Sequence, residues 1–327
     1  MVALAVVAIV VIAADDAAPD APVGAADVQC DEISPAGEDP AALVARLDPG
    51  ETGCLRAGTH VASGNIVLAN PGITVTSYPG ESATLVGRLW VKEGAEGVVV
   101  ENLSLDGRNE DDLPSPTVNA DKAVFRGNDV TNGHTAICFV IGDDRFGKSD
   151  GTMLEGNRIH DCGQLPATNH EHGVYVAYAR GTTIRDNAIF DNADRGVQLY
   201  PNADDSTVTG NVIDGNGQGV IFGGDESHSS DGNLVAGNLI TNSTIRFNIE
   251  SHWQGPTGTG NVARDNCVWT ASTGYQGEPP GSGIEASMRG VEATDNIVAE
   301  PEYGDAGNGD LRIDGETACD VPSAAAP

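Results

Sequence analysis

Six short segments share one alternation of apolar and other residues: AICFV (136–140), GVYVA (173–177), GVQLY (196–200), GVIFG (219–223), RFNIE (246–250) and GIEAS (283–287). Aligned as strands, they send Ile137, Val174, Val197, Val220, Phe247 and Ile284 to one face. The opposite face then collects Cys138, Tyr175, Gln198, Ile221, Asn248 and Glu285, and beside them Val140, Ala177, Tyr200, Gly223, Glu250 and Ser287. A third set, Thr135, His172, Arg195, Gln218, Ile245 and Ser282, joins this face if the residue that follows, usually Gly, bends the chain.

The chemistry of these side chains is that of proton transfer beside a carboxylate. Such a step needs a base, and a cation or donor that holds the carboxylate's charge. His172 or Tyr200 can act as base or acid, and Arg195 can hold the anion. Tyr175 offers a stacking surface, while Gln198 and Asn248 offer amides, with Glu171 and His252 at the edges of the same face. A second chemistry needs two carboxyl groups about 5–9.5 Å apart, and Glu250 with Asp225 are the candidates. The loop GDDRFGKSD (142–150) supplies Asp143, Asp144 and Asp150, hard oxygen ligands suited to calcium. His170-Glu171-His172 resembles a metal triplet but has no evident third ligand.

Elements that position these residues follow from an internal repeat. An apolar residue, a variable one, Gly, Asp or Glu, then Asn, a variable one and Val or Ile recurs around Asn102, Asn128, Asn157, Asn187, Asn211, Asn238, Asn266 and Asn296. Successive asparagines are 26, 29, 30, 24, 27, 28 and 30 residues apart, and the first copy departs, with Ser104 where the others place Val or Ile. With one coil per repeat, the asparagines stack at about 4.8 Å and form a hydrogen-bonded ladder. Each Asn takes the left-handed bend, and the residues at −3 and +2 point inward. No coil buries that face alone, so stability requires stacked neighbours and capped ends. The reading is an all-β, single-chain right-handed parallel β-helix. Amphipathic-helix arrays are excluded by the pattern, and leucine-rich repeats by the missing Leu framework.

Flanking segments complete the organisation. Residues 1–27 comprise the apolar run VALAVVAIVVIAA and an acidic linker. That run is shorter than the roughly 20 residues of a membrane span, so it reads as a secretory signal and no stable span is expected. Residues 28–56 form an N-terminal cap, with a short helix over PAALVARL (40–47) capped by Asp39. Residues 57–300 form the solenoid and 301–327 a C-terminal cap and tail. In an exported protein the six cysteines favour disulfides: Cys30 with Cys54, and Cys267 with Cys319, leaving Cys138 and Cys162 about one coil apart. No C-x-x-C pair marks a zinc site. The net charge of −31, from 48 acidic and 17 basic residues, excludes nucleic acid as a partner.

The segments TGCLRAGTH (52–60), HGVYV (172–176), DRGVQLYP (194–201) and the GNVI and GNLI steps carry a resemblance to secreted bacterial right-handed parallel β-helix repeat proteins of the pectate-lyase-like superfamily. The likeness spans roughly residues 50–300. It implies an extracellular or cell-surface monomer acting on polysaccharide, first as a lyase or epimerase on an acidic glycan. A non-catalytic glycan-binding protein and a glycoside hydrolase using Glu250 and Asp225 are the alternatives. Calcium often assists the enzymes it resembles.

Overall fold

The computed structural model describes residues 28–251, 255–271, 281–306 and 309–313. Each coil contributes three short strands, and these stack into parallel sheets of 11, 10 and 9 strands. Strands such as Val124–Arg126, Met153–Glu155 and Thr183–Arg185 build the first sheet. Asp129–Thr131, Arg158–His160 and Ala188–Phe190 follow in the second. Phe139–Ile141, Val174–Arg180, Arg195–Asp204, Gln218–Phe222 and Ile249–Ser251 belong to the third.

The repeat folds as its chemistry requires, with one change of role. Nδ2 of Asn128 donates to Oδ1 of Asn157 at 3.0 Å, and the same bond continues through Asn187, Asn211, Asn238, Asn266 and Asn296 at 2.9 Å each. The expected left-handed bend, however, falls on the residue before each Asn. Gly127, Gly156, Asp186, Gly210, Gly237, Asp265 and Asp295 take it, with φ between 55° and 65°. Asn102 belongs to that set, with φ 54°, since its backbone N–H donates to Arg126 O. It therefore bends the chain, and the ladder starts at Asn128. Phe125, Leu154, Ile184, Val208, Val235 and Ala263 stack inward before the turn, and Val130, Ile159, Ile189, Ile213, Ile240 and Val268 after it, all fully buried. Two further ladders run at other corners, Asn192 to Asn216 and Asn233 to Asn261.

The N-terminal end is closed by the helix Pro40–Val44, shorter than expected, whose Asp39 cap accepts from Ala41 N at 2.9 Å. Leu43 and Leu47 press on Gly53 of the first coil. The Cys30–Cys54 disulfide ties the edge strand Glu32–Ser34 to Thr52–Leu55. Cys138 and Cys162 form a second disulfide inside the solenoid, so Cys138 leaves the outward column to which alternation assigned it. Cys267 is not a free thiol, and Cys319 lies outside the described residues. Tyr303–Asp305 pairs antiparallel with Asp310–Ile313. This hairpin lies along the flank of the second sheet, where Tyr303 and Leu311 pack on Phe190, Val212 and Leu239, instead of closing the end of the solenoid. Among the described residues no helix is long and apolar enough to cross a membrane.

Candidate functional site

The outward face of the third sheet carries the residues with chemistry, and its register refines two coils. Val174 pairs with Phe139, not Ile137, and Val220 pairs with Ile249, not Phe247. One outward column therefore reads Thr117, Val140, Tyr175, Gln198, Ile221 and Glu250. Glu250 moves from the Tyr200 column to the Gln198 column. Asn248 is corrected to a fully buried place: its Nδ2 donates to Trp269 O and Ser282 O, and its Oδ1 accepts from Ser243 N. The shift is one of two residues, which alternation alone cannot resolve because Phe247 and Ile249 are equally apolar, and it sets Asn248 at the bend held by Gly219 in the preceding coil, where the chain turns inward.

His172 and Arg195 reach the same face by the bend expected at the following glycine. A Cβ on Gly173, Gly196 or Gly219 would come within 2.8 Å of Asn192, 2.8 Å of Ile213 or 2.2 Å of Asn248. These positions turn toward the interior, as do Val174, Val197 and Val220 after them. The residue before each is thereby freed to face outward. A bulge after Val176 matches Tyr178 with Asn202, placing one extra residue on the strand carrying Tyr200.

Together His172, Tyr175, Arg195, Gln198 and Tyr200, with Ile137, Asn169 and His170, line a cleft of about 140 Å³. The floor is buried: His172 is 2% and Arg195 3% exposed. Arg195 Nη1 donates to Asn169 O at 2.7 Å and faces Asp194 Oδ2 at 3.3 Å, and Nη2 bonds Asn169 Oδ1. Asp194 Oδ1 in turn accepts from Gln218 Nε2 at 2.9 Å. Burial, then the Arg195 cation, holds the His172 imidazole well below its usual pKa, so it is neutral. Its ring meets Tyr175 edge-on at 5.5 Å between centroids. Burial raises the phenols of Tyr175 and Tyr200, so both keep their protons. Four buried atoms, His172 Nδ1, Arg195 Nε, Gln198 Oε1 and Gln218 Oε1, have no hydrogen-bond partner among the described residues. Unpaired buried polar atoms are costly in a folded protein unless a ligand or water meets them.

The remaining candidates are dispersed. Glu171 accepts from Gln164 N and Thr168 Oγ1, shaping the loop that ends in His172. Glu250 is buried, pushed up by that burial, and bonded by Arg246 Nε at 2.9 Å. Asp225 lies in an exposed loop and accepts from Ser227 N and His228 N. His252 lies outside the described residues. The acidic loop holds its own aspartates locally. Asp143 Oδ1 accepts from Arg145 N and Phe146 N, and no three His, Cys, Asp or Glu side chains among the described residues stand close enough to hold one metal ion. Sequence reasoning missed Asn169, Asp194 and Arg246. Only Asp194 carried a signal, as the neighbour of Arg195 in DRGVQLYP.

The chain is a right-handed parallel β-helix protein. Residues 117–267 match the Beta_helix family, the right handed beta helix region. Among solved structures, pectate lyase Pel9A is similar at 10% identity and a TM-score of 0.55, covering 83% of this chain and 79% of its own. The catalytic unit of a thermostable GH87 alpha-1,3-glucanase from Streptomyces thermodiastaticus strain HF3-3 is similar at 16% identity and a TM-score of 0.54, covering 78% of this chain and 49% of that one. At such identities the likeness is one of fold. No curated protein matches the chain in sequence.

Proposed function

We propose that the protein is an extracellular polysaccharide lyase or epimerase that removes the proton next to a uronate carboxylate. The carrying observation is the pair of unpartnered buried atoms, His172 Nδ1 and Arg195 Nε, on residues lining one cleft. A neutral imidazole with a free nitrogen is a competent base, and a buried guanidinium with a free N–H is a partner for a carboxylate. His172 takes the C5 proton while Arg195 holds the charge spreading onto the carboxylate. In elimination the C4–O bond then breaks, C4=C5 forms, and the leaving oxygen takes a proton from Tyr175 or Tyr200. In epimerisation the same phenols return a proton to C5 from the other face. Paired disulfides and the apolar first residues support an exported protein.

Incubation with pectate, alginate and glycosaminoglycans in deuterated water tests this reading. Epimerisation leaves deuterium at C5, whereas elimination leaves unsaturated ends whose C5 carries no hydrogen; one or the other is the expected result, lost in His172→Ala and Arg195→Ala. If no glycan of the panel gains deuterium or unsaturated ends, the reading fails. Binding without change would then favour a non-catalytic glycan-binding protein.

A further inference from the structure

Three coils toward the N-terminus, the outward column that contains Tyr175 carries another aromatic group. Tyr175 pairs with Val140, Val140 with Thr117 and Thr117 with Trp90, so the two rings stand about 14 Å apart along the helix axis. Between them the column carries only Thr117 and Val140. Trp90 is not alone at its end. Phe146, 54% exposed on the loop after Ile141, meets it edge-on with centroids 6.3 Å apart. Asn119, 1% exposed, fixes both: its Oδ1 accepts from Trp90 Nε1 and its Nδ2 donates to Gly147 O, each at 2.8 Å.

Cations complete the group. Arg88 lies 5.4 Å from the centroid of Trp90 and Arg145 5.3 Å from that of Phe146, with Arg145 also 3.6 Å from both Asp143 and Asp144. Most arginines of this acidic chain are ion-paired, but Arg88 is half-buried with no carboxylate in ion-pair distance among the described residues. Its Nε reaches only Pro114 O, at 3.4 Å. A partly desolvated guanidinium over an indole, with Asp111 acting on it only at longer range than a salt bridge, suits a ligand that brings both a flat apolar face and a negative charge. A uronate ring has both.

We propose that Trp90, Phe146, Arg88 and Arg145 form a distal subsite for an acidic oligosaccharide, whose chain lies along the helix axis from the His172–Arg195 cleft over Val140 and Thr117. This rests on the acidic-glycan reading of the cleft and adds the direction and length of the ligand. Sugar rings stack on the aromatic pair, and a carboxylate meets the Arg88 guanidinium.

Equilibrium binding to the full chain tests the subsite, with a pectate disaccharide, a long pectate chain and the corresponding pair from alginate as probes. Phe146→Ala, on an exposed loop, and Arg88→Gln should weaken the long chain about five- to tenfold and leave the disaccharide unchanged. Trp90→Phe, which keeps a ring in place, should weaken the long chain less than Phe146→Ala. Equal binding of the long chain by wild type and Phe146→Ala overturns the proposal, as does equal loss for long and short probes. A long-chain loss in Lys148→Ala alone also overturns it, since Lys148 borders a hollow of about 270 Å³ beside Tyr178 and the glycan would then cross the coils. If wild type binds none of the probes, the subsite is refuted. Binding is read apart from turnover: Phe146-dependent binding with neither deuterium at C5 nor unsaturated ends refutes only the proton-abstraction reading. Turnover of long chains that Phe146→Ala does not alter in rate or KM refutes only the subsite.

Discussion

Replacing Asn211 by Ala removes one rung from the middle of the main ladder. Asn211 is 1% exposed. Its Nδ2 donates to Ile184 O and to Asn238 Oδ1, each at 2.9 Å, and its Oδ1 accepts from Asn187 N at 3.0 Å and Asn187 Nδ2 at 2.9 Å. Asn187 Nδ2 keeps a second acceptor, Leu154 O. One buried group is therefore orphaned outright, the Asn187 amide, since the Ile184 carbonyl keeps its place in the ladder with the neighbouring strand. At about 1–3 kcal/mol for an unsatisfied buried group, the loss is about 1–3 kcal/mol. Asn296, at the last rung and partly exposed, bonds Asn266 in the same way, but water can replace it there. Asn296→Ala should cost about 1 kcal/mol or less. Urea unfolding followed by circular dichroism gives both numbers. Amide exchange at Asn187 localises the effect, which matters because stacked coils interact mainly with their neighbours. Equal costs at the two positions, or a cost below about 1 kcal/mol at Asn211, would show that the ladder follows from the coil and does not hold it.

The pH dependence of His172 has a definite sign. Its folded pKa lies well below 6.5, so the acid limb of turnover should also fall below 6.5. Its contribution to stability is complete above 6.5 and is lost as pH falls toward the folded value, because the unfolded chain takes up the proton first. A pH–rate profile and pH-dependent unfolding of His172→Gln, which should flatten the loss, check both statements. Arg246→Ala leaves the buried Glu250 carboxylate without its 2.9 Å partner, at a cost of about 3 kcal/mol near neutral pH. Burial already raises Glu250 above 4.5, so the penalty should shrink as pH falls through the raised value and persist above it, which unfolding midpoints at two pH values would reveal. Replacing both Cys138 and Cys162 by Ala opens a link across 24 residues of sequence and should cost about 3 kcal/mol. Thermal unfolding should then become insensitive to reductant in the part that this bond controls, and an unchanged response would contradict that.

Legibility in the sequence followed repetition. The inward columns around Phe125 and Val130 were readable because every coil repeats the same apolar step, and the ladder because Asn recurs at its centre. The left-handed bend was misassigned to Asn because Gly, Asp and Asn alternate at the position before it, and all three tolerate that conformation. The register of Asn248 and Glu250 failed for a different reason. A shift of two residues keeps Glu250 outward, so only neighbouring coils decide its column; Ile249 fills the Val220 column, and the shift sets Asn248 opposite Gly219, at the bend where the chain turns inward. The other ladders, Asn192–Asn216 and Asn233–Asn261, were too short to stand out as repeats. Asn169, which bonds Arg195 from a loop, lies outside any repeated position.

The same division explains why the cleft can exist in so acidic a chain. Inward positions are constrained by the coil above and below, whereas outward side chains pack only where a loop covers them. The loop ending in His172 does this through Asn169, which binds Arg195 and makes a floor out of what would otherwise be an exposed strand. Burial then changes the meaning of the local charges. The net charge of −31 acts on an approaching anion from a distance and is screened within about 8 Å at physiological salt. Arg195 is balanced by Asp194 and Arg246 by Glu250, so neither pair alone attracts an anion from solution. What remains is short-range: the free Nε of Arg195 and the free nitrogen of His172 bond only a ligand already in the cleft. On the proposed reading, recognition of an acidic chain begins on cations outside the cleft that no salt bridge holds. Arg88, half-buried over Trp90 and with Asp111 acting on it only at longer range than a salt bridge, meets that requirement three coils away.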